Sequence, residues 1–264
     1  MTPAARPQVS VIGLLSRTSD RSGLGMQGTE ALARALASRV GVKPLLEGNP
    51  TAVRNGGWED DLRQSKRGLE WAAARLEESL AEGGYPLLVA AECTVAMGTL
   101  PVVARMRPDA WLLWIDSHGD FNSPDTTVSG YLRGMCLAGV CGVWETGLGT
   151  GPPPTQVVVC GARNLDSDER KLLSTYQIQQ VEGSEMTKLV RNKPLFLHLD
   201  LDVLDPSIMP GGAYPSPDGP DEDELARRLF DLAKNVELIG CQITSLTAPE
   251  LAGRMVSVLA PLLP

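Results

Sequence analysis

Two short acidic clusters, each at the end of an apolar run, carry residue types suited to metal chemistry. The first holds Asp116, His118 and Asp120, and the second holds Asp200 and Asp202. Successive side chains of an extended segment point to opposite faces, so the alternating members of each cluster share a face. Carboxylates brought together repel one another unless cations neutralise them, and oxygen-rich ligation with one imidazole suits Mn²⁺ or a related divalent ion. The clusters therefore predict a metal site.

An isolated Asp-x-His-x-Asp pattern also has an ordinary structural interpretation, in which the carboxylates cap helices and the histidine is incidental. The second cluster weakens that interpretation, because a buried-looking strand seldom ends in several unpaired carboxylates when burying charge is costly. His198 lies two residues before Asp200 and shares its face. We expect His198 to support the site or to be a satisfied core histidine rather than to bind metal.

The elements that position these clusters alternate along the chain as β-branched apolar runs and segments of helical periodicity. This alternation is typical of helices that cover both faces of a mainly parallel sheet, in which ligands bind at the carboxyl ends of the strands. We expect one α/β domain over residues 1–264 with about eight strands. The predicted strands are residues 9–15, 43–46, 86–91, 110–116, 156–161, 178–181, 195–202 and 238–246, and the predicted helices are residues 30–39, 61–82, 95–105, 167–176, 221–235 and 254–262.

The composition narrows the classes of function. The 264 residues include 32 acidic and 24 basic ones and give a net charge of −8, with no run of Lys or Arg that would follow a phosphate backbone, so we expect no nucleic-acid partner. Residues 1–7 lack the pattern of a signal peptide, and no run of about 18 apolar residues occurs, which predicts a cytoplasmic protein without a membrane partner. The five cysteines lack zinc-type pairs and are expected to be reduced thiols.

The wider motifs around both clusters resemble those of the arginase (ureohydrolase) superfamily. That family carries a DAHxD motif followed by N-x-P and TTxSG, and a DxDxxDP motif, and the matching segments here are residues 116–124, 126–130 and 200–206. The resemblance covers nearly the whole chain and implies a three-layer α/β/α sandwich on a mainly parallel sheet of about eight strands. It also implies hydrolysis of a guanidino-type carbon–nitrogen bond by water activated between two metal ions. The implied cofactors are two Mn²⁺, and the implied substrate is a small guanidino or hydroxyguanidino compound.

A first motif departs from the family pattern GGDHS, because residues 90–98 place Cys93 where the family has its first histidine ligand. A free cysteine is often only a small buried hydrophobe, which is how we interpret Cys136, Cys141, Cys160 and Cys241. For Cys93 we favour ligation, since neighbouring metals depress the pKa of a thiol. The family pattern then implies bridging by Asp116 and Asp200. The two implied ligand sets are Cys93, Asp116, Asp120 and Asp200 for one metal, and His118, Asp116, Asp200 and Asp202 for the other.

The resemblance further implies roles for residues beside the metals. Asp120 would hydrogen-bond the attacking water and later return its proton to the leaving amine. Asn122, Ser129 and Asp166 would bind the α-carboxylate and α-ammonium of an amino-acid substrate. From the residues alone, these three are equally well explained as turn and helix-cap residues.

Two further positions differ from the arginase pattern of catalytic groups. Arg133 stands where arginases have a histidine proton shuttle, and an arginine cannot act as a general base because it does not deprotonate. Ser245 stands where the family has a glutamate that binds the guanidinium. Cys93 with the segment 99–103, the loop 116–120 with residues 130–132, and the strand that holds His198 resemble a branch of the family that hydrolyses Nω-hydroxy-L-arginine in antibiotic biosynthesis. We therefore expect a hydroxyguanidino amino acid as the substrate, and a homo-oligomer is compatible with the resemblance.

Two other functions remain open at this point. A zinc-dependent deacylase of the same fold has similar Asp and His ligands, but the five ligand-type residues of the two acidic clusters favour two metals over one. A non-catalytic arginase-like binding protein would keep the fold after losing the shuttle and the guanidinium-binding glutamate. Metal analysis separates the three hypotheses, which predict two Mn, one Zn or no metal per chain.

Overall fold

A computed structural model describes residues 7–183 and 185–264. Residues 1–6, which hold most of the segment examined for a signal peptide, lie outside the described residues. All eight predicted strands are present, with ends that differ from the predicted ones by two residues or fewer. The strands are β1 Val9–Leu14, β2 Leu45–Glu47, β3 Tyr85–Ala90, β4 Trp111–Ile115, β5 Val157–Cys160, β6 Gln179–Val181, β7 Pro194–Asp200 and β8 Glu237–Thr244.

The helices include the six predicted ones and two short ones that the sequence did not predict. The helices are α1 Leu24–Val40, α2 Trp58–Ala81, α3 Ala96–Met106, α4 Cys136–Val140, α5 Ser167–Thr175, α6 Met186–Val190, α7 Glu222–Asn235 and α8 Ala252–Leu259. The helices α4 and α6 have five residues each, too few to show a helical period in the sequence. The helix α1 begins six residues before the predicted start, because its N-cap residue is Gly23, which gives no side-chain capping signal.

The sheet is parallel throughout and has the strand order β2-β1-β3-β8-β7-β4-β5-β6. Strands β3, β8, β7 and β4 therefore lie side by side at its centre. Every residue of β3 is buried, as expected for a strand covered by helices on both faces. Because the strands are parallel, their carboxyl ends all meet at one edge of the sheet. This edge carries the residues that follow each strand.

Two hydrophobic cores lie on opposite faces of the sheet. Leu195 and Leu197 of β7 belong to one core, with buried residues of α1, α6, α7 and α8. Phe196, which alternates with them, belongs to the other, with buried residues of α2, α3, α4 and α5. The chain thus forms the three-layer α/β/α sandwich that the sequence predicted.

Two smaller findings complete the description. All five cysteines are free thiols and are buried. Across residues 7–183 and 185–264, every helix is too short or too polar to cross a membrane.

Candidate metal centre

The four central strands end in polar residues that meet at the carboxyl edge of the sheet. Cys93 follows β3, Asp116 follows β4, Asp200 ends β7 and Thr244 ends β8. The sulfur of Cys93 lies 2.7 Å from Oδ2 of Asp200 and 3.6 Å from Oδ2 of Asp116. Thr244 is paired with Asp200 in the strand register, and its hydroxyl donates to Asp200 Oδ2 at 3.0 Å. The convergence follows directly from the strand order.

The donor atoms fall into two groups, in each of which one atom per residue lies within 4.8 Å of the others. We call them the inner and the outer donor group. Asp116 belongs to both, as its predicted bridging position requires, whereas Asp200 belongs only to the inner group and Asp120 to neither. His198 joins the inner group, although the sequence favoured a supporting or core role for it. The inner donor group is Cys93, Asp116, His198 and Asp200, and the outer donor group is Asp116, His118 and Asp202.

His118 presents its Nδ1 atom to the carboxylates. That atom lies 3.2 Å from Asp116 Oδ1 and 3.3 Å from Asp202 Oδ2, while Nε2 lies 3.0 Å from the carbonyl oxygen of Tyr214. A carbonyl only accepts, so Nε2 is the donor and Nδ1 faces the site. Burial lowers the pKa of His118, but hydrogen bonds to Asp116 and Asp202 outweigh it and raise the pKa to about 11. A cation held by His118 would displace the proton that Nδ1 carries in the metal-free protein.

The electrostatics of the two groups call for added positive charge. Burial, and then the Asp200 carboxylate, raise the pKa of Cys93 well above its ordinary value. Burial, and then Asp202 and Asp200, do the same for the pKa of Asp116. Divalent cations remove this repulsion and hold such groups in their charged forms. The donor set of a thiol, carboxylates and imidazoles therefore fits two divalent cations.

Arg133 supplies a fixed positive charge beside both groups. Its Nη2 donates to Asp200 Oδ2 at 2.9 Å and also contacts Asp202 Oδ2. Its Nη1 lies 3.5 Å from Glu92 Oε2, and the whole side chain is buried. Arg133, which the resemblance assigns to the position of the proton shuttle, thus lies directly against the carboxylates of two candidate metal ligands, Asp200 and Asp202.

Two site residues have a left-handed backbone, which L-amino acids other than Asn and Asp seldom adopt: Asp120 with φ 50° and Ser245 with φ 62°. The hydroxyl of Ser245 donates to Asp200 Oδ2 at 2.7 Å. The carboxylate of Asp120 lies 3.5 Å from the sulfur of Cys136, and burial raises its pKa to about 6. The predicted roles of both residues remain predictions.

A cavity of about 260 Å³ reaches the outer donor group at His118. The three predicted substrate-binding residues, Asn122, Ser129 and Asp166, all line it, together with His118, Asp120 and Arg133. Asn122 Nδ2 donates to Asp166 Oδ2 at 3.3 Å, and Asp166 also begins α5 in a capping box with Glu169. The helix-cap and cavity-lining interpretations of Asp166 are therefore compatible.

Sequence reasoning missed several residues around the cavity. Tyr131 donates from its hydroxyl to Glu92 Oε1 at 2.8 Å, and Arg21 lies over the Tyr131 ring at 4.2 Å from its centroid. Arg21 also donates to the carbonyl of Ser129 and to the hydroxyl of Tyr214. Glu92 was detectable because it precedes the cysteine in the first motif, whereas Arg21 and Tyr214 lie in loops without a recognisable pattern.

A parallel α/β/α sandwich with thiol, carboxylate and imidazole donors at the carboxyl edge of its sheet is suited to a metal-dependent protein. The sequence model of the Arginase family matches residues 48–260, and this chain belongs to that family. It is 37% identical over 246 residues to the N(omega)-hydroxy-L-arginine amidinohydrolase of Streptomyces lavendulae, covering 91% of this chain and 89% of that one. It is 31% identical over 186 residues to the arginase of Bacillus subtilis (strain 168), covering 63% of each chain.

Solved structures agree on the fold. The arginase from Bacillus cereus superposes with a TM-score of 0.82 at 24% identity, covering 97% of this chain and 98% of that one. The predicted family and α/β/α fold are thus confirmed. The protein is a hydrolase of guanidino-type carbon–nitrogen bonds in a family that depends on two metal ions. This result favours the hydrolase over the deacylase and the non-catalytic binding protein.

Proposed function

We propose that this protein uses two Mn²⁺ ions to hydrolyse the hydroxyguanidino group of an amino acid such as Nω-hydroxy-L-arginine. Cleavage of the bond between the guanidino carbon and the side-chain nitrogen consumes one water and yields L-ornithine and hydroxyurea. The name of the Streptomyces lavendulae relative, which covers most of both chains, supports this substrate class.

The observation that carries the proposal is the position of Arg133. A permanent cation lies against Asp200 and Asp202, at the sequence position to which the resemblance assigns the arginase proton shuttle. A cationic guanidinium entering the same cavity is repelled by that charge. Ser245 gives no carboxylate to offset the repulsion, and its hydroxyl is already bonded to Asp200. N-hydroxylation makes the guanidino group less basic, so a hydroxyguanidino substrate enters as a neutral group and is not repelled by the charge of Arg133.

By the family pattern, Cys93, Asp116, His118, Asp120, Asp200 and Asp202 would hold the two cations, and Asp116 is the residue common to both donor groups. When bound, two divalent cations supply the charge that lowers the pKa of a water molecule in the site. Asp120, which lines the cavity beside His118, accepts a proton from the attacking water and passes it to the leaving amine. Arg133 orients the less basic substrate group without exchanging a proton.

The amino-acid end of the substrate is assigned to the far wall of the cavity. Asn122 and Ser129 offer donors to the α-carboxylate, and Asp166 offers an acceptor to the α-ammonium. Asn122 already lies within hydrogen-bond distance of Asp166, so the two groups are ordered before substrate arrives. Such preorganisation reduces the entropy lost on binding.

Steady-state kinetics on Nω-hydroxy-L-arginine and L-arginine, at matched Mn²⁺ concentration and pH, tests the proposal. We expect kcat/KM for the hydroxylated compound to exceed that for L-arginine by roughly 100-fold or more, since one unfavourable charge contact is worth a few kcal/mol in a buried site. A value for L-arginine equal to or above the other contradicts it.

A matched variant makes the test sharper. Arg133→His together with Ser245→Glu restores the shuttle and the carboxylate of the arginase pattern. We expect this double variant to shift the preference toward L-arginine by roughly 10-fold or more. The same variant with unchanged preference would show that the selectivity arises elsewhere in the cavity.

The remaining parts of the proposal concern the setting of the enzyme. We infer a single catalytic domain, a homo-oligomer in solution, a cytoplasmic location and a role in antibiotic biosynthesis. Light scattering during size-exclusion chromatography measures the oligomeric state, and elemental analysis of protein purified without added metal identifies the native ion.

A further inference from the structure

We propose that His198 is not a metal ligand but a positioning residue, which donates a hydrogen bond from Nε2 to the sulfur of Cys93 and is held in that tautomer by Gln242 and Thr99. The inference rests on the proposed metal centre, in which Cys93 is a ligand. It explains why a second histidine lies within ligand distance of the inner donor group.

The residues concerned form a row across three neighbouring strands. His198 of β7 is paired in register with Trp114 of β4 on one side and with Gln242 of β8 on the other. The His198 ring stacks on Trp114 with a centroid distance of 3.5 Å and an interplanar angle of 11°. All three side chains are fully buried. The stacking prevents the imidazole from tilting out of the plane in which it meets Cys93.

Gln242 determines which ring nitrogen of His198 carries the proton. The hydroxyl of Thr99, on α3, lies 2.7 Å from Gln242 Oε1 and 3.2 Å from the carbonyl oxygen of Val95, and its one proton goes to the nearer oxygen. The amide oxygen is therefore the acceptor, and the amide nitrogen donates to His198 Nδ1 at 2.7 Å. A neutral imidazole has one N–H, so the proton is on Nε2. Nε2 lies 3.3 Å from Cys93 Sγ.

The comparison with His118 supports this assignment. A backbone carbonyl accepts from Nε2 of His118 and leaves Nδ1 free to face the carboxylates. At His198 an amide donor occupies Nδ1, and the nitrogen that faces the inner group has no free lone pair. The partner of each ring thus makes one histidine a ligand and the other a donor.

The consequence concerns the thiolate. A hydrogen bond to the sulfur stabilises its negative charge and directs its remaining lone pairs toward Asp116 and Asp200, where the cation is held. The hydroxyl of Thr244 lies 3.3 Å from the same sulfur, but its one proton is donated to Asp200, which leaves His198 as the donor to the thiolate. His198 therefore compensates for the soft, charged ligand that replaces a histidine at position 93.

Cobalt(II) titration of the metal-free protein tests the inference without any substrate, because a thiolate bound to Co²⁺ gives a charge-transfer band in the near ultraviolet. The informative variants are His198→Met, which lacks a donor, and His198→Gln, which keeps an N–H near Nε2. Gln242→Met tests the tautomer separately, since it leaves His198 in place and removes the amide that donates to Nδ1. X-ray absorption at the cobalt edge counts the imidazole ligands.

In His198→Met we expect Co²⁺ still to bind, with affinity at the inner group lower by roughly 10- to 100-fold and the sulfur band moved to longer wavelength. His198→Gln should show the wild-type Co²⁺ affinity and the wild-type band position. Gln242→Met should also move the band to longer wavelength, but by a smaller amount than His198→Met. Loss of the inner Co²⁺ in both His198 variants, two imidazoles in the wild-type absorption spectrum, or an unshifted band in His198→Met would overturn the inference. A wild-type protein that binds Co²⁺ without a sulfur band would instead overturn the proposed Cys93 ligation, and the inference with it.

Discussion

The inner and outer donor groups share Asp116 but differ in their exposure to solvent. The side chains of Asp116 and Asp200 are completely buried, whereas those of His118 and Asp202 are 15% and 12% exposed. Cys93 is also fully buried. The inner group is surrounded by strands β3, β4, β7 and β8, while the outer group borders the cavity.

This difference in solvent exposure indicates different roles for the two sites. A buried set of acidic groups without a cation is costly, so the inner group has the stronger need for a permanently bound ion. The outer group contacts loops, including the carbonyl of Tyr214, and can exchange water and ligands through the cavity. We therefore expect the inner site to contribute mainly to stability and positioning, and the outer site to substrate turnover.

The largest expected effect comes from removing the shared carboxylate. Asp116→Ala should reduce bound metal from about two ions per chain to nearly none and lower activity by roughly three orders of magnitude, because both groups lose a ligand. Asp202→Ala, which alters the outer group alone, is the matched comparison and should retain about one ion. Elemental analysis after dialysis measures both. One full ion retained in Asp116→Ala would contradict the shared position.

The sulfur ligand provides a test of the inner group alone. Cys93→Ala should weaken one of two metal-binding steps by roughly 100-fold and leave the other nearly unchanged, while Cys93→His should bind both ions. Cys141→Ala is the control, since that cysteine is buried outside both groups. Isothermal titration with Mn²⁺ resolves the two steps. Equal binding by Cys93→Ala and wild type would make Cys93 structural only.

Arg133 links the two groups, and its removal should have opposite effects on the metal-free and metal-loaded protein. In Arg133→Met the carboxylates of Asp200 and Asp202 lose their partner, which should lower the Tm of the metal-free form by several degrees. The same change removes a positive charge that repels the cations, so metal affinity should rise by roughly 10-fold.

Arg17→Met is the control for this experiment, because Arg17 pairs with buried Asp61 at 2.7 Å outside both groups. It should lower the Tm without raising metal affinity. Thermal unfolding and Mn²⁺ titration measure the two quantities. A fall in the metal affinity of Arg133→Met would show that Arg133 assists the ions rather than competing with them.

The smallest effect on the metal centre is expected at Glu169, on the wall of the cavity, where a substitution changes how stability depends on pH. Burial raises the pKa of Glu169 to about 7. A carboxyl whose pKa is higher in the folded state binds more protons when folded, so the stability it contributes is present at low pH and is lost as pH rises from about 4.3 to 7. Glu169→Gln stays neutral and should therefore gain about 2–3 kcal/mol relative to wild type across that interval. Urea unfolding of both metal-free proteins from pH 4 to pH 8 checks this, and a constant difference would contradict it.

The amino-acid sequence by itself determined the strands and the pattern of ligand types. Apolar runs indicated the central strands because burial on both faces of a sheet leaves a continuous signal. The spacing of Asp116 and His118 placed them in one donor group, whereas Asp202, in a 3₁₀ turn after β7, joins them and not Asp200. The motif resemblance identified Cys93 as a ligand candidate before its sulfur was placed 2.7 Å from Asp200. Short-range spacing sufficed for these features because each depends on a few consecutive residues.

Only the tertiary structure decided which side chains meet across the strands. Arg133 is 67 residues from Asp200, and Gln242 is 44 residues from His198, yet both pairs are in hydrogen-bond contact. Nothing local in the sequence indicates such pairs, since strand order and the packing of α3 and the β4 loop against the sheet bring them together. The tautomer of each histidine depends on a partner chosen in this way, a carbonyl for His118 and an amide for His198. The difference between a ligand and a positioning residue therefore arises from long-range hydrogen bonding rather than from residue type.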